Sequence, residues 1–399
     1  MSMAGGEPLP FLIAGGGIGG LATALGLARI GRRVVVFEQA PQLGEIGAGI
    51  QIAPNAFHCF DALGVGDAAR AKAVYIDNLI LMDAIKDERI AQIPLDAPFR
   101  QRFGNPYAVV HRADLHGILL EACRAHRLIS LHVDSCVMRY DQDGARVTVA
   151  LGNGRTTEGA ALIGADGLSS RIRAQLVGDG APRVSGHTTY RSVVPTGLVP
   201  EELRWNAATL WAGPKCHIVH YPLKGGKVFN FVVTCQNGAR EPVAGKPVSA
   251  DEVREGFAHV CARALKIIDH GADWKQWVLC DRDPVQNWVE GRVALLGDAA
   301  HPMLQYFAQG ASMALEDAVC LAHMAQAQGD DIAGALIAYN RRRAVRTARV
   351  QLGSRLIGEY VYHPEGAMAD VRDAAMRAKS PQDWYDTLQW LYGGEAAAT

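Results

Sequence analysis

Phe11-Leu12-Ile13-Ala14-Gly15-Gly16-Gly17-Ile18-Gly19-Gly20, an uncharged small-residue run to Ala28, and then Val34-Val35-Val36-Phe37-Glu38 form the stretch that decides the fold. A short apolar run, a glycine cluster, a small-residue helix and a second apolar run ending in an acid read as strand, turn, helix, strand. Gly15, Gly17 and Gly20 fit the spacing G-x-G-x-x-G between the first strand and the helix. Gly15 allows the tight turn, Gly17 lets backbone approach a pyrophosphate, and Gly20 lets the helix lie close on the strand, with the helix N-terminus facing the phosphate charge. Glu38 closes the second strand roughly 20 residues after the last glycine, where a ribose-binding carboxylate belongs. The uncharged stretch 11–28 is also long enough for a membrane span or a signal segment. Six glycines within it (Gly15, Gly16, Gly17, Gly19, Gly20 and Gly26) and the lack of a preceding basic region favour the dinucleotide reading.

A chain of 399 residues has room for two or three domains, and 49% apolar with 20% charged residues is a soluble globular composition. The formal net charge of −1, without a long single-sign run, excludes a nucleic-acid or anionic-membrane footprint and leaves a small molecule as the expected partner. Eight cysteines (Cys59, Cys123, Cys136, Cys216, Cys235, Cys261, Cys280, Cys320) contain no C-x-x-C pair, so neither a disulfide framework nor a metal site is expected. The cytoplasm is the default compartment, with no transmembrane segment expected.

Beyond Glu38, residues 43–55 carry Gly44, Gly47 and Gly49 with Glu45 and Gln51, consistent with backbone wrapped around a ligand or with an ordinary loop. Residues 74–83 and 89–95 read as a hairpin that leaves for a second sheet. Tyr107-Ala108-Val109-Val110-His111-Arg112 returns from strand to helix. Arg112 at that junction suits a pyrophosphate or other ligand oxygens, or a helix-start ion pair with Asp114. A meander over 131–138, 145–150 and 157–164 ends in a second glycine-acid cluster, Gly164-Ala165-Asp166-Gly167. An N-cap role would account for Asp166 but not for Gly167 or Arg173.

Short strands then dominate from 188 to 235, and alternation puts His217 and Tyr221 on one strand face with His220 on the other. One helix is expected over 250–264. A third cluster follows: a strand at 293–296, then Gly297-Asp298-Ala299-Ala300-His301-Pro302, then Gln305 and Gly310 opening a helix over 311–326. Asp298 can accept from a polyol, and the helix N-terminus beside Gly310 offers amides to an anion. The basic run Arg341-Arg342-Arg343, Arg346, Arg349, Arg355 reads as the solvated face of a covering C-terminal helical segment.

Together the three stations resemble the FAD-dependent aromatic hydroxylases, the single-component flavoprotein monooxygenases of the para-hydroxybenzoate hydroxylase type. That family carries G-x-G-x-x-G, a G-A-D-G-x-x-S-x-[VI]-R station matched by Gly164 through Ser170 and Arg173, and G-D-A-A-H-P matched by Gly297 to Pro302. The resemblance spans nearly the whole chain. It implies an α/β fold: a Rossmann-like FAD-binding domain (1–73, 102–183, 284–335), an inserted antiparallel-sheet substrate domain (74–101, 184–283) and a C-terminal helical segment (336–399). It implies FAD held by Gly15, Gly17, Gly20, Glu38, Arg112, Asp166, Asp298, Pro302, Gly310 and Ala311, with NADH, O2 and a homodimer.

Within the family, the stretches at 105–112, 213–223 and 301–306 are similar to those of the 3-hydroxybenzoate 6-hydroxylases. That likeness points to His217, Gln305, Tyr107 and Tyr221 as catalytic-site residues acting on a small aromatic acid. It implies oxygen delivery from a flavin C4a-hydroperoxide to a substrate phenol deprotonated by His217 with Gln305, giving 2,5-dihydroxybenzoate. Salicylate 1-hydroxylase and 6-hydroxynicotinate hydroxylase chemistry are the nearest alternatives. A plain NAD-dependent dehydrogenase and a flavoprotein without turnover are the alternatives from other classes.

Overall fold

The computed structural model describes residues 8–44 and 48–393, so Glu45 and Gly47 lie outside the described residues. Two sheets carry the architecture. The first has the order Val289–Glu290, Val293–Leu295, Ala161–Gly164, Phe11–Ala14, Val34–Phe37, Ile129–His132, parallel throughout except at the Val289–Glu290 edge. Every residue of Phe11–Ala14 and Ala161–Gly164 is buried, as a parallel sheet covered on both faces requires. Helix Ile18–Arg29 lies against helix Gly310–Gln328, so the first and third glycine stations open onto one side of this sheet.

The second sheet has the order Ala244–Pro247, Lys275–Asp281, Arg183–Pro195, Val228–Gln236, Cys216–Leu223, Ala207–Gly213, Asn78–Asp83, Arg89–Pro94. Its pairs are antiparallel except Ala207–Gly213 with Asn78–Asp83, two strands drawn from distant parts of the chain. No helix among the described residues is long and apolar enough to cross a membrane.

Several sequence expectations are corrected in detail. The strand read over 131–138 is two strands, because the backbone turns at Asp134 (φ +49°) after Ile129–His132 and re-forms as Val137–Gln142 in a separate small sheet. The strand over 157–164 likewise divides into Thr156–Gly159 and Ala161–Gly164. The helix expected over 250–264 is Ala250–Glu255 and Ala262–Asp269, broken where Cys261 is extended.

The solvated-arginine reading fails more consequentially. On helix Ile332–Ile357, Arg343 is completely buried and Arg346 is half-buried. Arg343 donates to Glu316 Oε2 and to Asp317 Oδ1, each at 2.6 Å, and Arg346 reaches both oxygens of Glu316. Both acids sit fully buried on helix Gly310–Gln328. Burial works to keep these carboxyls protonated, but Arg343 and Arg346 hold Glu316 below the usual range, and His301 and then Arg343 bring Asp317 to about 2. Removing Arg343 would take from Asp317 its only guanidinium among the described residues and leave Glu316 to Arg346 alone. Arg343→Met is therefore expected to lower the unfolding free energy by about 3–5 kcal/mol, read as a reduced urea midpoint; an unshifted midpoint would show that the acids do not depend on it.

Candidate active site

A cavity of about 880 Å³ runs past all three glycine-acid turns. Its lining includes Gly15, Gly17, Glu38, Arg112, Asp166, Asp298, Gly310 and Ala311 at the stations, and Arg191, His217, Tyr221, Gln305 and Tyr362 toward the second sheet. The turns are built against one another. Gly15 has φ +108°, and a Cβ there would lie 2.3 Å from the Ala165 carbonyl oxygen, so the first turn presses on the second. Gly20 packs on Gly15 in turn and does not line the cavity.

Arg173, left unexplained by an N-cap reading of Asp166, ties the second turn to the third. It is fully buried, pairs with Asp179 at 2.7 Å, and donates to the carbonyls of Ala299 (2.9 Å) and Ala300 (2.6 Å). The third turn is pinned from below, where Asp317 Oδ2 accepts from the Gly297 amide (3.0 Å) and His301 Nε2 (2.5 Å). Pro302 stays behind the wall, its carbonyl accepting from Gln351.

The polar groups of this channel suit a flavin dinucleotide. Glu38 closes its strand with both oxygens oriented, accepting from the Gly16 amide (2.8 Å) and the Ala40 amide (2.9 Å). Asp166 accepts from Ser170 Oγ (2.5 Å) and the Arg171 amide (2.8 Å), so it does support the start of helix Arg171–Leu176 while facing the cavity. Burial raises the Asp166 carboxyl, with these hydrogen bonds opposing. Arg112 opens helix Arg112–Ala125 at the cavity wall. At Gly310 the nearest atom to an added Cβ is Asp298 Oδ1 at 3.9 Å, so the helix N-terminus is open to a ligand.

At the far end, sheet register makes the floor. His217 is opposite Thr234, which is opposite Thr189; Val219 is opposite Val232, which is opposite Arg191. His217, Val219 and Tyr221 therefore share the cavity face, and His220 points the other way against Trp205 and Phe229. His217 Nδ1 is 2.7 Å from His363 Nε2, which leaves Nε2 for the cavity. Burial, and then the His363 and His187 rings, push the His217 imidazole well below its ordinary pKa, which favours the neutral ring. Gln305 is locked, its Oε1 accepting from Arg191 Nη2 (2.9 Å) and its Nε2 donating to Thr234 Oγ1 (3.1 Å). Tyr107 is outside the cavity lining and reaches it only through Gln51, to whose Oε1 it donates at 2.7 Å.

Sequence reasoning missed Arg191, Thr189, Thr234 and His363. Arg191 alone left a signal, the one charge inside the strand Arg183–Pro195, whose other charge, Arg183, opens it. It stacks over Trp277 at 5.8 Å and has no carboxylate partner among the described residues.

The profile of the FAD binding domain family matches residues 9–352, and the chain belongs to this family, the FAD-dependent aromatic-ring hydroxylases, with FAD as its cofactor. Among individual proteins it is similar to 3-hydroxybenzoate 6-hydroxylase 1 of Aquipseudomonas alcaligenes, 56% identical over 96% of this chain and 97% of that one. It is also similar to the 3-hydroxybenzoate 6-hydroxylase of Polaromonas naphthalenivorans (strain CJ2), 49% identical over 96% of each. The fold is shared with Klebsiella pneumoniae HpxO complexed with FAD and uric acid, with a TM-score of 0.84 and 26% identity over 96% and 97% of the two chains.

The contact between the first two turns makes loading of FAD sensitive to one methyl group. Gly15→Ala is expected to weaken FAD retention roughly tenfold to a hundredfold, measured as the ratio of flavin to protein absorbance after dialysis; a fully yellow variant would mean that the turns can part at no cost.

Proposed function

We propose that this chain is a 3-hydroxybenzoate 6-monooxygenase, using NADH and O2 to convert 3-hydroxybenzoate to 2,5-dihydroxybenzoate. The observation that carries the reading is a buried imidazole and a guanidinium without a carboxylate partner among the described residues, on one face of one sheet, at the end of a channel suited to FAD. The similarity to two 3-hydroxybenzoate 6-hydroxylases over almost the full chain supports the choice of substrate. In this reading residues 1–73, 102–183 and 284–335 hold the cofactor, 74–101 and 184–283 hold the substrate, and 336–399 cover the site.

When bound, FAD supplies the redox chemistry by which dioxygen becomes an electrophile toward an electron-rich ring. The protein's part is to make the ring electron-rich and to place it. The phenol lies against His217 Nε2, which takes its proton; the O–H bond breaks as the N–H bond forms, and the pair becomes phenolate and imidazolium. Such a step contributes typically ~10²–10⁴-fold. Gln305 has both amide hydrogens directed at the threonines and keeps an oxygen lone pair for the same hydroxyl.

Arg191 receives the substrate carboxylate, which supplies the counter-charge that the described residues do not. Tyr221 sits beside it on the sheet face, and Tyr107 holds Gln51 in place. The position para to the hydroxyl then faces the cofactor, which gives the 2,5-product. The apolar parts of Val219, Val232, Met303 and Leu304 keep water from the reacting centre.

A panel of mono-hydroxybenzoates in an NADH-oxidation assay with product identification tests the assignment. Coupled turnover is expected with the 3-isomer, with 2,5-dihydroxybenzoate as product; coupled formation of catechol from salicylate would replace it. Two substitutions separate the roles. His217→Ala is expected to lower kcat about a hundredfold with FAD retained. Arg191→Met is expected to raise the Kd for 3-hydroxybenzoate by about tenfold to a hundredfold and to weaken neutral 3-hydroxybenzyl alcohol much less, since that ligand loses only the hold of Arg191 on Gln305. Equal weakening of both ligands would remove Arg191 as the carboxylate anchor.

A further inference from the structure

Catalytic imidazoles are commonly oriented by a carboxylate or a backbone carbonyl on the nitrogen facing away from the substrate. His217 has neither there. Its Nδ1 meets the Nε2 of a second imidazole, His363, at 2.7 Å, with the rings stacked 4.9 Å apart at 27°. His363 lies just beyond the π-helical turn Gly358–Tyr362, in the C-terminal segment and far in sequence from the glycine stations. Both rings are buried, and among the described residues neither is paired with a carboxylate. Around them stand His187, Tyr306 and Tyr362: His187 packs edge-on to His363 at 5.1 Å, and the two tyrosines pack edge-on to His217 at 5.6 and 4.8 Å. Arg191 is the cation on the same cavity face.

Two neutral imidazoles joined by one hydrogen bond must take complementary tautomers. If His363 accepts, His217 carries its proton on Nδ1 and shows a lone pair at Nε2 to the cavity. If His363 donates, Nε2 of His217 carries the proton and cannot act as a base. We propose that His363 is a positioning residue for the hydroxylation: it accepts from His217 Nδ1–H, which fixes the base-competent tautomer and then stabilises the imidazolium formed when Nε2 takes the phenol proton. This rests on His217 being the base, as argued above. Burial lowers both rings below the ordinary histidine value, His363 to about 3, so the acceptor is neutral throughout the working range. A neutral acceptor orients the base without adding a negative charge beside a phenolate, which a carboxylate would do.

The test is the ionisation of bound 3-hydroxybenzoate, followed by ultraviolet difference titration of the FAD-loaded enzyme without NADH, so that nothing turns over. His363→Phe, which fills the space and cannot accept, is expected to raise the pH at which the bound phenol ionises by about one unit or more, and to lower kcat about tenfold or more with KM little changed. His363→Gln, whose amide oxygen can accept the same hydrogen bond, is expected to restore both toward the parent values. His217→Asn serves as the control on the underlying reading. If His217→Asn shifts the ionisation and His363→Phe, with full FAD content, does not, the positioning role is wrong and the base assignment stands. If neither shifts it, His217 is not the base. If Phe and Gln are equally impaired, His363 matters only for packing, and the inference fails.

Discussion

The third turn of the cofactor channel depends on one buried ionic cluster. Glu316 and Asp317 are consecutive acids in the interior of a helix, and Arg343, which bridges them, together with Arg346 on Glu316 and His301 on Asp317, is what lets them stay there as anions. Compensated, they have reach in two directions. Asp317 holds the Gly297 amide and His301, which shapes the third turn, while Glu316 holds Asn55 on the far side. A cluster of this kind adds little net stability over a well-packed apolar core, but it fixes directions that apolar packing leaves loose. The direction fixed here is that of the turn carrying Asp298.

The same logic extends outward through arginines. Arg173 carries the second turn onto the carbonyls of the third. Arg346 joins Glu316 to the carbonyls of Trp390 and Leu391, fastening the helix Pro381–Tyr392 to the cluster. Arg355 shares Asp281 with Arg183 and so links the long C-terminal helix to the edge of the second sheet. Arg343, Arg346 and Arg355 lie in the run that a composition-based reading assigns to solvent. Their planar, multidentate heads explain why arginine rather than lysine occupies these positions.

What could be read from the sequence follows from the range of the interaction that carries it. The three stations are legible because each is local: glycines and an acid at fixed spacing between a strand and a helix, as in 15–20, 164–167 and 297–310. The shared face of His217 and Tyr221 is legible because strand alternation is local too. The distant polar partners are not. Arg343 finds Asp317 across 26 residues, His363 finds His217 across 146, and Arg191 finds Gln305 across 114. No periodicity in either partner announces the other. The splitting of the 131–138 strand was hidden for a related reason: one residue at positive φ, Asp134, sends a continuous β-prone run into two different sheets.

The contact of Gly15 with Ala165, and of Gly297 with Asp317, has a consequence for how the protein is made. The nucleotide fingerprint leaves the ribosome early, yet the surface it must press against is synthesised some 150 residues later, and the acid that sets the last turn later still. An N-terminal fragment therefore owns the signature without owning the channel. The walls that enclose the vitamin-derived group are complete only once the chain has been made as far as Asp317.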